Sequence, residues 1–139
     1  MKANKNAVIA LESCIDGDIS RKEYPGEYAY RDGTHLLTYT DFTGNGITKN
    51  GIQANGFAML LHRVGAFEGD MLFDPAMDTV VKYTAGGLVQ AGFILHTNAY
   101  SVEAKENGVV IHFDYILYDG SGEEGIHGEQ CISANWEEE

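Results

Sequence analysis

Arg63 is the residue whose type and position point most directly to chemistry. It shares the strand parity of three apolar residues before it, Phe57, Met59 and Leu61. Because side chains alternate between the two faces of a strand, this parity predicts that Arg63 lies on the buried face. An unpaired buried charge is costly. Arg63 therefore either binds a ligand carboxylate with its guanidinium fork or closes the fold through an ion pair with Asp41 or Glu12.

Aromatic residues form the second candidate set. Seven of them are candidates to line a cavity, Tyr28, Tyr39, Phe73, Tyr83, Tyr100, Phe113 and Tyr115. Aromatic walls with a few polar tips suit a small ligand. The alternative is that these rings simply fill the interior. The predicted ligand-binding residues are Arg63, Tyr28, Tyr39, Phe73, Tyr83 and Tyr115.

A third set has the residue types of a metal site. It comprises His127, Glu129 and Cys131 at alternate positions, with His112 and Asp114 beside them. Such a set is able to bind a transition metal. However, its parity is opposite to that of Ile132 and Trp136, which predicts a solvated outer face. We therefore predict no metal site.

Catalytic motifs do not assemble in this sequence. Ser13, Ser101 and Ser133 lack the context of a nucleophile elbow. The glycine-rich segment 44–46 lacks the Gly-Lys-Ser/Thr ending of a phosphate-binding loop, and Glu123-Glu124 lies in a glycine-rich loop. The sequence therefore predicts no catalytic residue, no cofactor and a protein that is not an enzyme.

Composition limits the possible partners. The chain has 139 residues, which suits one domain over 1–139. Nine Lys and Arg against 21 Asp and Glu give a net charge of −12. This balance disfavours nucleic acid and anionic membranes, which bind clustered basic residues. No apolar run suits a signal or membrane span. We expect a soluble cytoplasmic protein.

The two cysteines, Cys14 and Cys131, lie near opposite ends of the chain. Reduced thiols are expected in the cytoplasm. A structural disulfide is the alternative, if the first and last strands pair.

Ten strands are predicted along the chain. The clearest covers Asn107–Tyr118, which begins with an Asn-Gly hairpin signal of type I′ and then alternates apolar and polar residues. The other nine predicted strands are 7–15, 23–31, 34–41, 47–54, 57–64, 69–73, 78–83, 88–102 and 125–136. We also expect an irregularity near Ala91-Gly92. Asn50-Gly51 is a candidate for a bulge. Asp74-Pro75 is predicted to turn the chain, with a short helix around 74–78 as the alternative.

Short strands separated by turn signals predict an all-β protein, an antiparallel closed β-barrel of about ten strands. Closure removes the exposed edges that long apolar strands would otherwise present. An interior of this size is filled by side chains or holds one small ligand.

An ordered set of short motifs also carries a resemblance. The motifs are Gly26-Glu27-Tyr28, Leu37 and Tyr39, Leu61-His62-Arg63-Val64-Gly65, Phe73, Tyr83-Thr84, Thr97 and Ile111-His112-Phe113-Asp114-Tyr115. In this order they resemble the YwiB-like family of small bacterial proteins. The resemblance implies a lipocalin-like (calycin) barrel, an unknown function and no established catalytic residues. The chain departs from the family at Asp41, where Glu is more typical, and around Gly86-Gly87, which looks expanded.

Three functions remain open at this point. The leading hypothesis is a cytoplasmic, non-enzymatic barrel that binds a small, partly apolar ligand. The second is a packed barrel that acts through protein contacts or as a homo-oligomer. The third is an enzyme on a barrel scaffold, which we favour least because a fold alone assigns no chemistry.

Overall fold

The computed structural model describes residues 4–43, 46–85, 88–118 and 125–137. It contains ten strands: β1 (Lys5–Ile15), β2 (Asp18–Arg31), β3 (Thr34–Thr43), β4 (Gly46–Ala54), β5 (Met59–Gly65), β6 (Phe67–Phe73), β7 (Thr79–Ala85), β8 (Leu88–Lys105), β9 (Gly108–Tyr118) and β10 (Ile126–Asn135). Each strand pairs antiparallel with its neighbours in sequence, and β1 pairs with β10 to close the barrel. The predicted fold class is confirmed.

The interior is a continuous apolar core. Its least exposed large side chains are Ile9, Leu37, Ile52, Met59, Val81, Leu95, Val109, Ile111 and Phe113. They occupy alternate positions on their strands, as the period of two predicted. Among the residues whose burial is described, three polar ones are also buried, namely Thr48, Asn50 and Thr97.

Two hairpins have Asp-Gly turns, a residue pair that favours tight hairpins. Asp16 and Gly17 have φ values of 48° and 90°, and Asp32 and Gly33 have 51° and 81°. Both pairs therefore have the positive φ values that two-residue hairpin turns of this kind require.

The hairpin between β8 and β9 differs from its prediction. Its two turn residues are Glu106 and Asn107, and Gly108 already pairs with Lys105. Neither Asn107 nor Gly108 has positive φ, so the predicted type I′ turn at Asn-Gly is wrong. A Cβ on Gly108 would lie 2.8 Å from the Ala134 carbonyl oxygen. This glycine serves close strand approach rather than turn geometry.

The predicted irregularities are partly correct. Val81 pairs with Phe93, but Tyr83 pairs with Gln90, so the irregularity expected near residues 91 and 92 is confirmed. The candidate bulge at Asn50-Gly51 is not formed, because β4 keeps a continuous register with β3 and β5.

The prediction for Phe57 is wrong, whereas the turn predicted at Asp74-Pro75 is present. Phe57 is not on the buried face of β5, because it lies in the preceding turn and is 83% exposed. There the Asn55 side chain accepts hydrogen bonds from the Phe57 and Ala58 amides. Residues 74–78 form the predicted turn and not the alternative helix, and the Met77 amide donates to the Asp74 carbonyl.

Cys14 and Cys131 are free, although β1 and β10 pair. In the parts of the chain that the structure describes, no helix has the length and apolar character needed to cross a membrane. The predictions for residues 44–45, 86–87 and 123–124 fall outside the described residues.

Candidate ligand-binding end of the barrel

A single row of directly paired residues runs across six strands and organises the candidate site. In order from β2 to β7 it contains Gly26, Tyr39, Asn50, Arg63, Gly69 and Tyr83. Residues paired directly across strands share one face of the sheet. The row therefore brings Tyr39, Arg63 and Tyr83 together on the interior face, with a small or short residue between each pair of long side chains.

Glycines make room for the tyrosines of this end. A Cβ on Gly26 would lie 3.3 Å from Tyr39 Cβ, and a Cβ on Gly69 would lie 2.9 Å from Tyr83 Cβ. On β10, Gly128 pairs with Tyr115, and a Cβ there would lie 2.5 Å from the ring. Covering a strand glycine with an aromatic ring is a recognised way of stabilising barrels.

Arg63 lies in this setting without a charged partner. Its Nε atom is buried and has no hydrogen-bond partner. None of the salt bridges among the described residues includes Arg63. Glu12, one of the two acids considered for an ion pair, instead contacts Arg21 on an exposed surface. The predicted ion pair of Arg63 with Asp41 or Glu12 is therefore absent from this structure.

The charge of Arg63 is nevertheless felt by three tyrosines. Burial raises the pKa of Tyr39 to about 12, and the nearby Arg63 opposes this rise. Burial likewise raises the pKa values of Tyr24 and Tyr115, and Arg63 lowers them in part. Asp41 raises the pKa of Tyr24 as well. The three tyrosines therefore interact electrostatically with Arg63, and Asp41 acts on Tyr24 and Tyr39 as well. The three tyrosine hydroxyls stay protonated near neutral pH.

A cavity of about 230 Å³ adjoins Arg63. Its lining is Leu61, Arg63, Phe67, Glu68, Gly69, Asp70, Met71, Val81, Tyr83 and Leu117. Most of these side chains are apolar, and Arg63, Glu68 and Asp70 supply the charges. Burial inside such a lining favours an organic molecule with one polar end.

The predicted site residues do not all meet. Tyr39, Arg63, Tyr83 and Tyr115 belong to this end of the barrel, as described above. Phe73 lies deeper, with its ring centroid 4.5 Å from that of Phe113 and 5.4 Å from that of Tyr115. Its position is that of a core residue.

Tyr28 belongs to a different group at the opposite end. Its ring stacks on Trp136 at 4.3 Å, and its hydroxyl lies 2.8 Å from His35 Nδ1. These three residues border a separate open pocket of about 340 Å³, which Lys5 and Glu106 also line. Burial lowers the pKa of His35. Sequence reasoning missed this cluster, although the inward parity of Trp136 was a signal for it.

Sequence reasoning also missed the contribution of β6 to the cavity. The predicted strand began at Gly69, whereas β6 begins at Phe67. The predicted strand therefore excluded Phe67 and Glu68, two of the residues that line the cavity. Gly69 has the residue type of a strand boundary, but it lies within β6.

The His and acidic residues of β9 and β10 lie outside the barrel. His112 Nε2 is 3.0 Å from Glu129 Oε1, and His127 Nε2 is 2.9 Å from Asp114 Oδ1. Burial tends to raise the pKa of Asp114, but hydrogen bonds from Asn98 and His127 outweigh it and lower the pKa. Within the described ranges, no group of three or more potential ligands has metal-binding geometry.

Comparisons with known proteins agree with this fold. A family model described as a domain of unknown function (DUF1934) matches residues 12–128. The crystal structure of the ywiB protein from Bacillus subtilis is similar, with a TM-score of 0.83 and 19% identity over 99% of this chain and 96% of that chain. No curated protein matches the sequence. The resemblance to the YwiB-like family is confirmed, and the lipocalin-like classification stays a prediction.

Proposed function

The chain belongs to the DUF1934 family of domains of unknown function, and we propose that its barrel binds a small, partly apolar molecule beside Arg63. One observation carries this proposal. The Nε atom of Arg63 is buried without a hydrogen-bond partner and its residue lines a cavity of about 230 Å³. A buried polar group without a partner costs stability. A bound ligand would supply the missing acceptor.

The size of the cavity limits the ligand. Pockets for drug-sized molecules usually measure about 300–1,000 Å³, and this cavity is smaller, at about 230 Å³. It corresponds to the liquid volume of about eight water molecules. The proposed ligand is therefore a compact molecule rather than a long chain or a multi-ring cofactor.

We propose binding rather than catalysis for this end of the barrel. A tyrosine can act as a general base only if its hydroxyl has already lost its own proton at the working pH. The Tyr39 hydroxyl has a pKa of about 12 because of burial, so it keeps its proton at neutral pH. This supports a role of Tyr39 other than that of a general base.

A cytoplasmic location belongs to the same proposal. The two cysteines, Cys14 and Cys131, are free. Free thiols are typical of reducing compartments, which supports the cytoplasm over a secreted setting.

Native mass spectrometry tests the proposal. Protein purified gently from cells should show a discrete excess mass under native conditions that disappears on denaturation. Leu117→Trp should remove the excess, because Leu117 lines the cavity and a larger side chain would fill it. Ile116→Trp is the matched control, since the adjacent side chain has the opposite strand parity. A native mass equal to the denatured mass would contradict a retained ligand.

A packed scaffold is the second candidate, and exposed apolar side chains favour it. Phe42 is 73% exposed and pairs with Ile47, which is 53% exposed. Val64 is also exposed on the neighbouring strand. Exposed apolar patches often mark contact surfaces. A homo-oligomer would appear in the same native spectrum as a multiple of the chain mass.

A further inference from the structure

We propose that the ligand of this barrel is a monocarboxylate, which Arg63 recognises with one edge of its guanidinium. This inference rests on the proposed function and deepens it by naming the charged group of the ligand. The cavity beside Arg63 would then take the apolar body of the acid.

The first argument is the unused hydrogen-bonding capacity of Arg63. Guanidinium carries its donors in a fixed planar fork that matches the two oxygens of a carboxylate. In Arg63 the buried Nε–H belongs to one such edge, and it has no acceptor. No described acid forms a salt bridge with Arg63, so the described protein leaves this Nε–H without an acceptor.

The second argument is the surroundings of the guanidinium. Tyr83 lines the cavity together with Arg63, and Tyr39 lies in the same cross-strand row on the other side of Arg63. A tyrosine hydroxyl can donate a hydrogen bond, and burial raises the pKa of Tyr39 to about 12, so its hydroxyl keeps its proton at neutral pH. A carboxylate oxygen accepts such bonds, and charge-assisted hydrogen bonds are about twice as strong as neutral ones.

The third argument separates a carboxylate from a phosphate. Glu68 and Asp70 border the cavity on either side of Gly69, with exposed side chains, and Asp70 contacts His62 on the outer face. The whole chain has a net charge of −12. Repulsion by these negative charges increases with the charge of the ligand. One unpaired arginine can neutralise a monoanion, whereas a phosphate monoester would keep a second charge near the two acids.

Three probes of similar shape test the inference on the full chain. Benzoate, benzamide and phenyl phosphate are titrated into isotope-labelled protein and followed by NMR, up to about 10 mM so that a Kd of about 1 mM is measurable. We expect benzoate to shift the resonances of the residues that line the cavity. Benzamide and phenyl phosphate should bind at least about tenfold more weakly, because the charged hydrogen bond is lost or the second charge is repelled.

Substitutions of Arg63 identify the binding group. Arg63→Gln should weaken benzoate binding at least about tenfold, and Arg63→Lys should restore only part of it, since an ammonium lacks the planar fork. The matched control is Arg21→Gln, which changes an exposed arginine that already pairs with Glu12 and Glu23. It should leave benzoate binding unchanged. Far-UV circular dichroism confirms that each variant is folded.

The outcomes separate the inference from the function on which it rests. If benzamide binds as tightly as benzoate, or if Arg63→Gln has no effect, the carboxylate inference is overturned while the cavity remains a binding site. If phenyl phosphate binds best, the ligand class is wrong in its charge. If no probe binds, the inference also fails, and the native mass measurement decides the proposed function separately.

Discussion

Arg63 presents a question of free energy at the scale of a single residue. Removing one partner of a buried ion pair costs about 3–5 kcal/mol, because the other charge is left unpaired. Arg63 has no such partner among the described residues, and its Nε atom is already unsatisfied. Its charge therefore does not hold the barrel end together.

Arg63→Met should accordingly leave the free energy of unfolding within about 1 kcal/mol of the wild-type value or raise it. Methionine keeps much of the apolar length of the side chain and removes the charge. Urea unfolding followed by circular dichroism measures the difference, with Arg21→Met as the exposed control. A loss of about 3 kcal/mol or more would show that Arg63 is part of an ion pair after all.

Tyr39 gives a prediction about pH. An unfolded tyrosine ionises near pH 10, whereas burial raises the folded pKa of Tyr39 to about 12. The protonated form is therefore favoured in the folded state, and this contribution is fully present below pH 10 and is lost as the pH rises towards 12. Each pKa unit corresponds to about 1.4 kcal/mol, so the contribution is roughly 2–3 kcal/mol.

Tyr39→Phe removes the ionisable group and should flatten the fall of stability over this pH range. Urea unfolding of both proteins at intervals from pH 8 to 12 measures how the free energy of unfolding depends on pH. The difference between the two proteins at pH 8 gives the effect of losing the hydroxyl itself. Parallel stability curves for the two proteins would contradict the assignment.

The candidate site could be predicted only in part, and Tyr28 and Phe73 show why. Strand parity tells which face a side chain occupies, and both residues do face inward. It does not tell which cross-strand row they join, because the row depends on the register between strands. Tyr28 pairs with Leu37 and Phe73 with Met59, so both fall outside the row of Tyr39 and Arg63.

Gly26 belongs to the scale of the strand element. A Cβ at this position would overlap the Thr38 carbonyl oxygen and lie 2.7 Å from Ile9 Cγ1. The carbonyl oxygen is part of the backbone of β3, so it cannot move without disturbing the pairing of β2 with β3. This glycine is required by close packing, not by its φ.

Gly26→Ala should therefore lower the free energy of unfolding by about 2–3 kcal/mol through overpacking. Gly51→Ala is the matched control in β4, because the nearest atom to a Cβ there is 4.0 Å away. That change should stay within about 1 kcal/mol of the wild type. Equal effects of the two changes in urea unfolding would show that strand propensity, and not the clash, sets the cost.

Most strands could be predicted because each buries one face, which imposes a period of two on its residues. The predictions were wrong where one residue type is compatible with two structural roles, as glycine is with a turn or a close strand contact. Gly108 was assigned to a turn but allows β9 to approach β10. Phe57 shares the sequence parity of Met59 and Leu61, which predicts burial, although the Asn55 turn holds it outside the barrel.

Closure of the barrel is a property of the whole molecule, because it depends on pairing between the first and the last strand. β1 and β10 pair from Val8 with Asn135 to Ile15 with Gly128. Lys5 Nζ also lies 4.9 Å from the centroid of the Trp136 ring. The start of β1 and the end of β10 are therefore neighbours at one end of the barrel.

A circular permutant tests this closure. Joining the two ends with a short glycine-rich linker and opening the chain between Asp32 and Gly33 should give a folded, cooperatively unfolding barrel. The new ends would lie in an exposed two-residue turn, where such cuts are tolerated. Opening between Val81 and Lys82 is the control, because it interrupts β7 next to a buried side chain. Circular dichroism and thermal unfolding compare the two permutants. The predicted order is that the first folds and the second does not, because a closed barrel depends on which strands remain whole and not on where the chain begins.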